Sequence, residues 1–420
     1  MNILVIGSGG REHSIVRCLS KSESCDKIYC TPGNPGIRQL AECVKLDIKT
    51  PSNVIDFCKQ NDIPFVVVGP EQPLADGLSD VLRSSGVYVF GPSRLAAQLE
   101  TSKSFAKIFM QKYNIPTAKF RTFTKDEKDE AVQYVKTHSY PIVLKADGLA
   151  AGKGVIITND VNEAVSVTES YLNGALGTAS EKIVIEEFME GVEASVFAVC
   201  DGKDFITLAP AQDHKRIGEN NTGKNTGGMG AYAPAGVVTP EILEKVKNKI
   251  IIPTLKGMEA DGMSYIGCMY VGLMLHNNEP KVVEYNVRFG DPETQVVLSI
   301  FDGDFAKLLY SASQGCIDKT AVKTINNGTA CCVILASKGY PDKAETGKEI
   351  TGNLQETPNS FVFHAGTKIQ DNKLITSGGR VLGVTGFGST LETAIKNSYD
   401  KVKEICFEGC YYRKDIGSHR

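Results

Sequence analysis

Within the first hundred residues, four short apolar runs each stop at a loop rich in glycine or proline. Ile3–Ile6 leads into GSGGREH, Lys27–Cys30 into TPGNPG, Phe65–Val68 into GPEQPL and Val87–Phe90 into GPS. Short β-branched runs bounded by such residues are strand-sized, and the segment after the first loop, to about Leu19, has helical character. Strand, glycine loop and helix in repetition constrain this part of the chain to a doubly wound parallel sheet. In such sheets ligands sit beyond the carboxyl ends of the strands, where these loops lie.

The chain has 420 residues, 42% hydrophobic and 23% charged, with a net charge of −3. That is room for two to four globular domains. No Lys/Arg-rich run argues for nucleic acid or a membrane surface as partner. The 12 cysteines are scattered without a C-x-x-C pair, so they read mostly as small core residues and not as a zinc site or a disulfide framework. The chain opens on a strand with no signal-peptide pattern, and no apolar run approaches the ~20 residues of a membrane span. These features predict a soluble, reduced, cytoplasmic protein.

Beyond the first hundred residues the pattern changes. A helix is predicted over Ser102–Lys112, closed by Asn114-Ile115-Pro116. Two strands, PIVLKA and GVIIT, flank the loop Asp147–Gly154, and a helix from Val161 to Leu172 and the strand KIVIEEF complete a small α+β unit. Polar loops around 212–230 precede a helix and the strands MYVGLML and PKVVEYNVRF. The remainder reads as strands with glycine turns and a helix at 390–405. The expected division is a Rossmann-like domain over 1–101, a central domain over 102–323 with a small lid at about 118–190, and a β-rich domain over 324–420.

Several stretches carry chemistry. In KVVEYNVRF, alternation puts Val283, Tyr285 and Val287 on one side of a strand and Glu284, Asn286 and Arg288 on the other. A wet outer face is the plain explanation. Oxygen ligands in such a row also suit Mg²⁺, which combines a carboxylate with phosphate oxygens and water. The loop DGLAAGKG allows backbone N–H groups to approach an anion and adds the charge of Lys153. It is not a Walker A loop, because Val155 follows its last glycine and begins a strand. Lys145 lies just before the loop and Lys107 on the preceding helix. Glu186 and Glu187 end an apolar strand, followed by Phe188 and Glu193.

Lysine, strand lysine, glycine loop, E-E-F strand and Glu-x-Asn pair, in this order, resemble the ATP-grasp superfamily. NILVIGSGGREH, LKADGLAAGKGV, AQDHKR at 211–216, NTGGMGAY at 225–232 and EYNVRFGDPETQ at 284–295 are similar to the hallmarks of one of its families, the phosphoribosylamine–glycine ligases. The resemblance spans the whole chain. It implies an ATP-grasp domain of two α+β subdomains between the N-terminal sheet and the C-terminal region. It also implies an enzyme of de novo purine synthesis that joins glycine to 5-phosphoribosylamine through glycyl phosphate. Lys107, Lys145, Gly152, Lys153 and Gly154 would then meet ATP phosphates, Glu186, Glu187 and Phe188 the adenine, and Glu193 the ribose. Glu284 and Asn286 would hold Mg²⁺ or Mn²⁺, and Arg288 and Asp213 would orient glycine. His214 would be either a base for the amine or, the plainer reading, a locally bonded loop histidine. The strand CMYVGLML lacks the further acidic metal ligand that many ATP-grasp ligases place there. The partners are small molecules, and a monomer is expected, with a dimer as the alternative.

The turn Gly7-Ser8-Gly9-Gly10-Arg11-Glu12 is close to a dinucleotide fingerprint, but Glu12 stands where that fingerprint needs its last glycine. A helix start can still take one phosphate group. Gly9 and Gly10, with Arg11 as a lesser contributor, are the predicted contacts for the 5-phosphate of phosphoribosylamine. The rival readings are a different ATP-grasp enzyme, a non-catalytic nucleotide-binding protein and an NAD-dependent oxidoreductase.

Overall fold

The computed structural model describes residues 1–150 and 154–418. The N-terminal strands form a parallel sheet in the order Glu42–Cys43, Lys27–Pro32, Asn2–Gly7, Phe65–Val68, Tyr88–Phe90. The order reverses on the two sides of Asn2–Gly7, so the crevice of the sheet opens where that strand ends. All four apolar runs read from the sequence are strands. The two-residue edge strand Glu42–Cys43 was not foreseen, being too short to carry a period.

The helix Lys103–Lys112 begins where the Ser102 side chain accepts the Phe105 N–H, and Asp147 accepts the Ser104 N–H at 2.6 Å. It ends at Asn114, whose φ of 54° turns the chain left-handed before Pro116. The base of the loop 147–154 is thereby tied to the helix that carries Lys107.

Two antiparallel sheets follow. One has the order Phe120–Thr124, Lys182–Glu187, Ile142–Ala146, Val155–Thr158. Its core is closed by Phe123, Leu144, Ile183 and Ile185 together with the helices Lys128–Thr137 and Val161–Leu172. The other has the order Phe205–Thr207, Val192–Asp201, Ile266–His276, Glu279–Asn286. The sheets meet where Thr117 bridges to Val282 and donates its hydroxyl to the Val282 carbonyl at 2.7 Å.

The strand Glu279–Asn286 departs from simple alternation. Leu273 lies opposite Val282 and Gly272 opposite Glu284, so Val283 is an extra, bulged residue. Val282, Tyr285 and Val287 are the buried members, and Val283 is only half-buried, which corrects the expected Val283–Tyr285–Val287 face.

A third sheet has the order Gln212–Asp213, Gly230–Ala233, Thr329–Ala336, Arg380–Gly388, Ser360–His364, covered by the helix Leu391–Val402. Its first two strands come from the AQDHKR and NTGGMGAY segments. The C-terminal region is therefore stitched to the central one through backbone hydrogen bonds between Gly230–Ala233 and Thr329–Ala336.

Candidate active site

Lys107 and Lys145 converge on one carboxylate. Lys107 Nζ lies 2.9 Å from Glu186 Oε2 and Lys145 Nζ 2.9 Å from Glu186 Oε1, and all three residues are buried. Lys107 also donates to the Thr117 hydroxyl at 2.7 Å, and Lys145 to the Val283 carbonyl at 3.2 Å. The bulge thus supplies a carbonyl aimed across to the other sheet. Burial, only partly offset by Glu186, lowers the Lys107 ammonium to about 8. Glu186, read from the sequence as an adenine contact, has its carboxylate spent on the two lysines. Glu187 accepts the Lys119 N–H at 3.0 Å, and Phe188 stands partly exposed just after that strand. Of the loop residues expected at the phosphates, Gly154 is described, and Gly152 and Lys153 lie outside the described residues.

On the facing sheet Gly272 lies between Ser195 and Glu284, and Tyr270 between Phe197 and Asn286, so Glu284 and Asn286 look out over a floor that lacks a side chain at Gly272. Burial alone would raise the Glu284 carboxyl. Lys215, Lys145, Lys103 and Arg288 together hold it below the usual carboxylate range. An ionised carboxylate with a neighbouring amide suits a hard cation that takes its remaining ligands from phosphate and water. Among the described residues no group of three or more His, Cys, Asp and Glu side chains could hold a metal ion by itself.

Asp213 and Lys215 close another side. Lys215 Nζ donates to Glu193 Oε2 at 2.8 Å and lies 3.9 Å from Glu284 Oε1. Burial, with Glu293, Glu193 and Glu284 around it, pushes the Asp213 carboxyl up to about 7 against the pull of Lys215. Glu193 is half-exposed, its side chain shared with Lys215. His214 faces the other way. It is buried, and its Nε2 accepts the Gly417 N–H at 3.3 Å, which favours the structural reading over the base.

Arg288 is heavily committed. Its guanidinium meets Glu100 at 2.9 Å, Glu71 at 3.2 Å and the Phe289 carbonyl at 3.2 Å. That leaves two of its five N–H groups for a ligand.

At the crevice of the N-terminal sheet the expectation needs correction. The Gly9 N–H is not open to a phosphate, because it donates to Glu12 Oε2 at 2.6 Å. A Cβ on Gly7 or Gly69 would strike the Glu12 side chain at 2.3 Å, so this carboxylate fills the turn a dinucleotide would cross. Arg11 is also withdrawn: buried, it is paired with Glu12 at 2.6 Å and donates to the Phe289 carbonyl at 3.0 Å. Gly10 begins the helix Gly10–Leu19 against Gln295, which donates to Asp291 Oδ1 at 2.7 Å.

Sequence reasoning missed Lys103, Lys215, Tyr270 and Glu293. Tyr270 donates to the buried Glu293 at 3.0 Å and accepts from Ser195 at 2.8 Å. Lys215 was within reach, as a lysine two residues after Asp213 on an extended segment. Glu293 stands inside the quoted 284–295 stretch without a pattern of its own, and Lys103 and Tyr270 carry no local signal.

The phosphoribosylglycinamide synthetase N domain matches residues 1–100, its ATP-grasp (A) domain residues 101–294 and its C domain residues 330–419. Phosphoribosylamine–glycine ligase of Caldanaerobacter subterraneus subsp. tengcongensis is 43% identical over 419 residues, covering 100% of both chains. The chain belongs to the phosphoribosylamine–glycine ligase family. The ligase of Ralstonia nicotianae is 46% identical over 422 residues, covering 100% of this chain and 99% of its own. The crystal structure of the ligase from Thermotoga maritima superposes with a TM-score of 0.87 at 35% identity, covering 99% of this chain and 100% of that one. As a member of this family the protein is an ATP-using ligase with small-molecule substrates, and dependence on a divalent cation goes with the ATP-grasp fold. Among the described residues no helix is long and apolar enough to cross a membrane.

Proposed function

We propose that this chain joins glycine to 5-phosphoribosylamine in de novo purine synthesis, in the cleft between the Lys107–Lys145–Glu186 cluster and the Glu284–Asn286 strand. The observation that carries this reading is two buried lysines on one carboxylate facing an ionised Glu284 across the gap between two sheets. A carboxylate is a poor electrophile and must first be activated. One oxygen of glycine attacks the γ-phosphorus of ATP, ADP leaves, and glycyl phosphate forms. The amine of phosphoribosylamine then attacks the acyl carbon and phosphate departs with that oxygen. Phosphoryl transfer of this kind relies on positioning and charge neutralisation and needs no protein nucleophile.

Lys107, Lys145, Gly154 and, outside the described residues, Gly152 and Lys153 receive the triphosphate. Glu186 holds the two lysines in place. Glu187 and Phe188, at the end of their strand, border the base, and Glu193 the ribose. Glu284 and Asn286 would hold Mg²⁺, with Mn²⁺ as its substitute, and the cation would neutralise phosphate charge when bound. Asp213 receives the glycine ammonium, and the two uncommitted N–H groups of Arg288 its carboxylate. Gly10 borders the phosphoribosylamine phosphate, while Gly9 and Arg11 shape the turn beneath it. The protein works as a cytoplasmic monomer, which sedimentation of the purified chain checks. Phosphate release from ATP with glycine and phosphoribosylamine each omitted in turn tests the assignment, and release that ignores either omission refutes it.

A further inference from the structure

His214 and the C-terminal residues are left without a role by the chemistry above. The segment Asp213-His214-Lys215 is extended, so alternate side chains face opposite ways. Asp213 and Lys215 face the cleft, where Lys215 meets Glu193 and Glu284. His214, between them, faces the C-terminal segment. We propose that residues 411–417 are a strap that positions Asp213 and Lys215 by gripping the back of the segment that carries them.

The grip is made at successive points. Gly417 donates its N–H to His214 Nε2 at 3.3 Å, and Ile416 fills the space beside Gly230, where a Cβ would lie 2.8 Å from it. Arg413, fully buried, donates to the Arg216 carbonyl at 3.0 Å and to Asn221 Oδ1 at 3.1 Å. Its remaining fork meets Asp415 at 2.7 and 2.6 Å, and Asp415 in turn accepts the Asn220 N–H at 2.8 Å. Tyr411 donates its hydroxyl to the Ile217 carbonyl at 2.8 Å, and Lys414 its N–H to Glu219 at 3.2 Å.

Asp213 pairs with Ala231, His214 exchanges backbone bonds with Gly230 and Met229, and the Lys215 carbonyl accepts from Thr226, whereas the stretch beyond Lys215 has fewer ties. Residues 219–224 are exposed; among the described residues the strands Arg216–Gly218 and Thr222–Asn225 pair only with each other in a two-stranded ribbon, with the exposed Lys224–Asp342 ion pair beside them. Such a ribbon is barely stable alone in water. A fully buried arginine is tolerated only when its donors are satisfied, and here they are satisfied by the ribbon and by Asp415. The strap itself is anchored from behind, since Tyr399 donates its hydroxyl to the Arg413 carbonyl at 2.8 Å and accepts the Ile416 N–H at 3.0 Å. The strap thereby sets the place of two cleft residues from behind the segment that carries them.

The inference rests on Asp213 meeting the glycine, and its test keeps the two ideas apart. The variants are His214→Leu, which loses the acceptor for Gly417, His214→Gln, which keeps one, and Arg413→Lys, which cannot reproduce the fork. Asp213→Asn is the reference for direct contact. KM for glycine, KM for ATP and amide exchange over residues 212–218 are measured in the full-length chain. His214→Leu and Arg413→Lys are expected to raise KM for glycine by about tenfold, the weight of one or two lost hydrogen bonds. Exchange over 212–218 speeds up, KM for ATP stays within twofold, and His214→Gln behaves as wild type. If Arg413→Lys does not fold, the two His214 variants decide by themselves. The strap is refuted if both disruptive variants leave KM for glycine and exchange unchanged. It is equally refuted if KM for ATP rises in step, the mark of general loosening, or if His214→Gln is as inactive as His214→Leu, the mark of proton transfer by His214. Should Asp213→Asn alone leave KM for glycine unmoved, the glycine assignment falls, and faster exchange without any change in KM removes the functional role of the strap.

Discussion

Replacing Glu186 by glutamine keeps its shape and removes its charge. Two buried ammonium groups, each 2.9 Å from a carboxylate oxygen, then lose the counter-charge they share. Taking one partner from a buried ion pair costs about 3–5 kcal/mol. Here Lys107 can escape part of that cost by giving up its proton. If half of it falls on Lys107, its proton affinity drops by about 10- to 60-fold at 1.4 kcal/mol per tenfold. Wild-type Lys107, already lowered to about 8 by burial, is half protonated at pH 8, whereas the variant's is almost wholly neutral. ATP brings its own negative charge and restores the missing protons. Calorimetry of ATP binding at pH 8, in buffers of different ionisation enthalpy, should therefore show uptake of about half a proton by wild type. The variant should take up close to one proton, as Lys107 recharges. A lysine whose folded-state value is depressed binds fewer protons than the unfolded chain between that value and 10.5. Stability then rises with pH across that window, and the variant's window extends lower. Its loss of stability relative to wild type should be larger at pH 6.5 than at pH 9. Equal proton uptake by the two proteins, with equal stability at both pH values, would refute the view that Glu186 sustains the charge of Lys107.

Three further outcomes follow from the site. Glu284→Ala and Asn286→Ala should each lower turnover at least about a hundredfold, the weight of an interaction with developing charge, and raised Mg²⁺ should restore it only in part. Their melting temperatures should move little, because both side chains face a ligand, so near-normal activity would reduce the row to a wet strand face. Asp213, with its carboxyl raised to about 7, loses its charge as pH falls through that value. KM for glycine should accordingly rise below pH 7 and that rise should vanish in Asp213→Asn, and a wild-type KM flat from pH 6 to 8 would contradict the ammonium contact. Gly10→Val places a Cβ 2.6 Å from Gln295 Nε2 and disturbs the Gln295–Asp291 bond, so KM for phosphoribosylamine should rise while that for ATP stays put, and parallel changes in both would move Gly10 out of that site.

The fold was legible wherever a period or a turn residue marks an element. The helix Val161–Leu172, the strands Phe65–Val68 and Lys182–Glu187, and the end of the helix Lys103–Lys112 at Asn114 all stand where patterning puts them. Alternation misled at Val283, because a bulge inserts a residue that no period reveals and sends its carbonyl to Lys145. Residue types at the site were legible, but their pairings were not. Nothing near Arg288 in sequence announces Glu71 and Glu100, and nothing near Lys107 announces that it shares Glu186 with Lys145. Such pairings are set by how three sheets pack, and Glu12 shows the same limit. Its size alone argued against a dinucleotide, while its bond to the Gly9 N–H, which withdraws that group from a phosphate, required the folded turn.

The most direct test of the central claim follows one oxygen atom. With glycine labelled by ¹⁸O at both carboxylate oxygens, activation as glycyl phosphate passes one labelled oxygen to the released phosphate and leaves the other in the amide product. Mass spectrometry of the phosphate formed from ATP, glycine and phosphoribosylamine should find one ¹⁸O per phosphate, and no phosphate when glycine is withheld. Unlabelled phosphate, or phosphate released from ATP at the same rate without glycine, would contradict the claim that this cleft activates the glycine carboxylate.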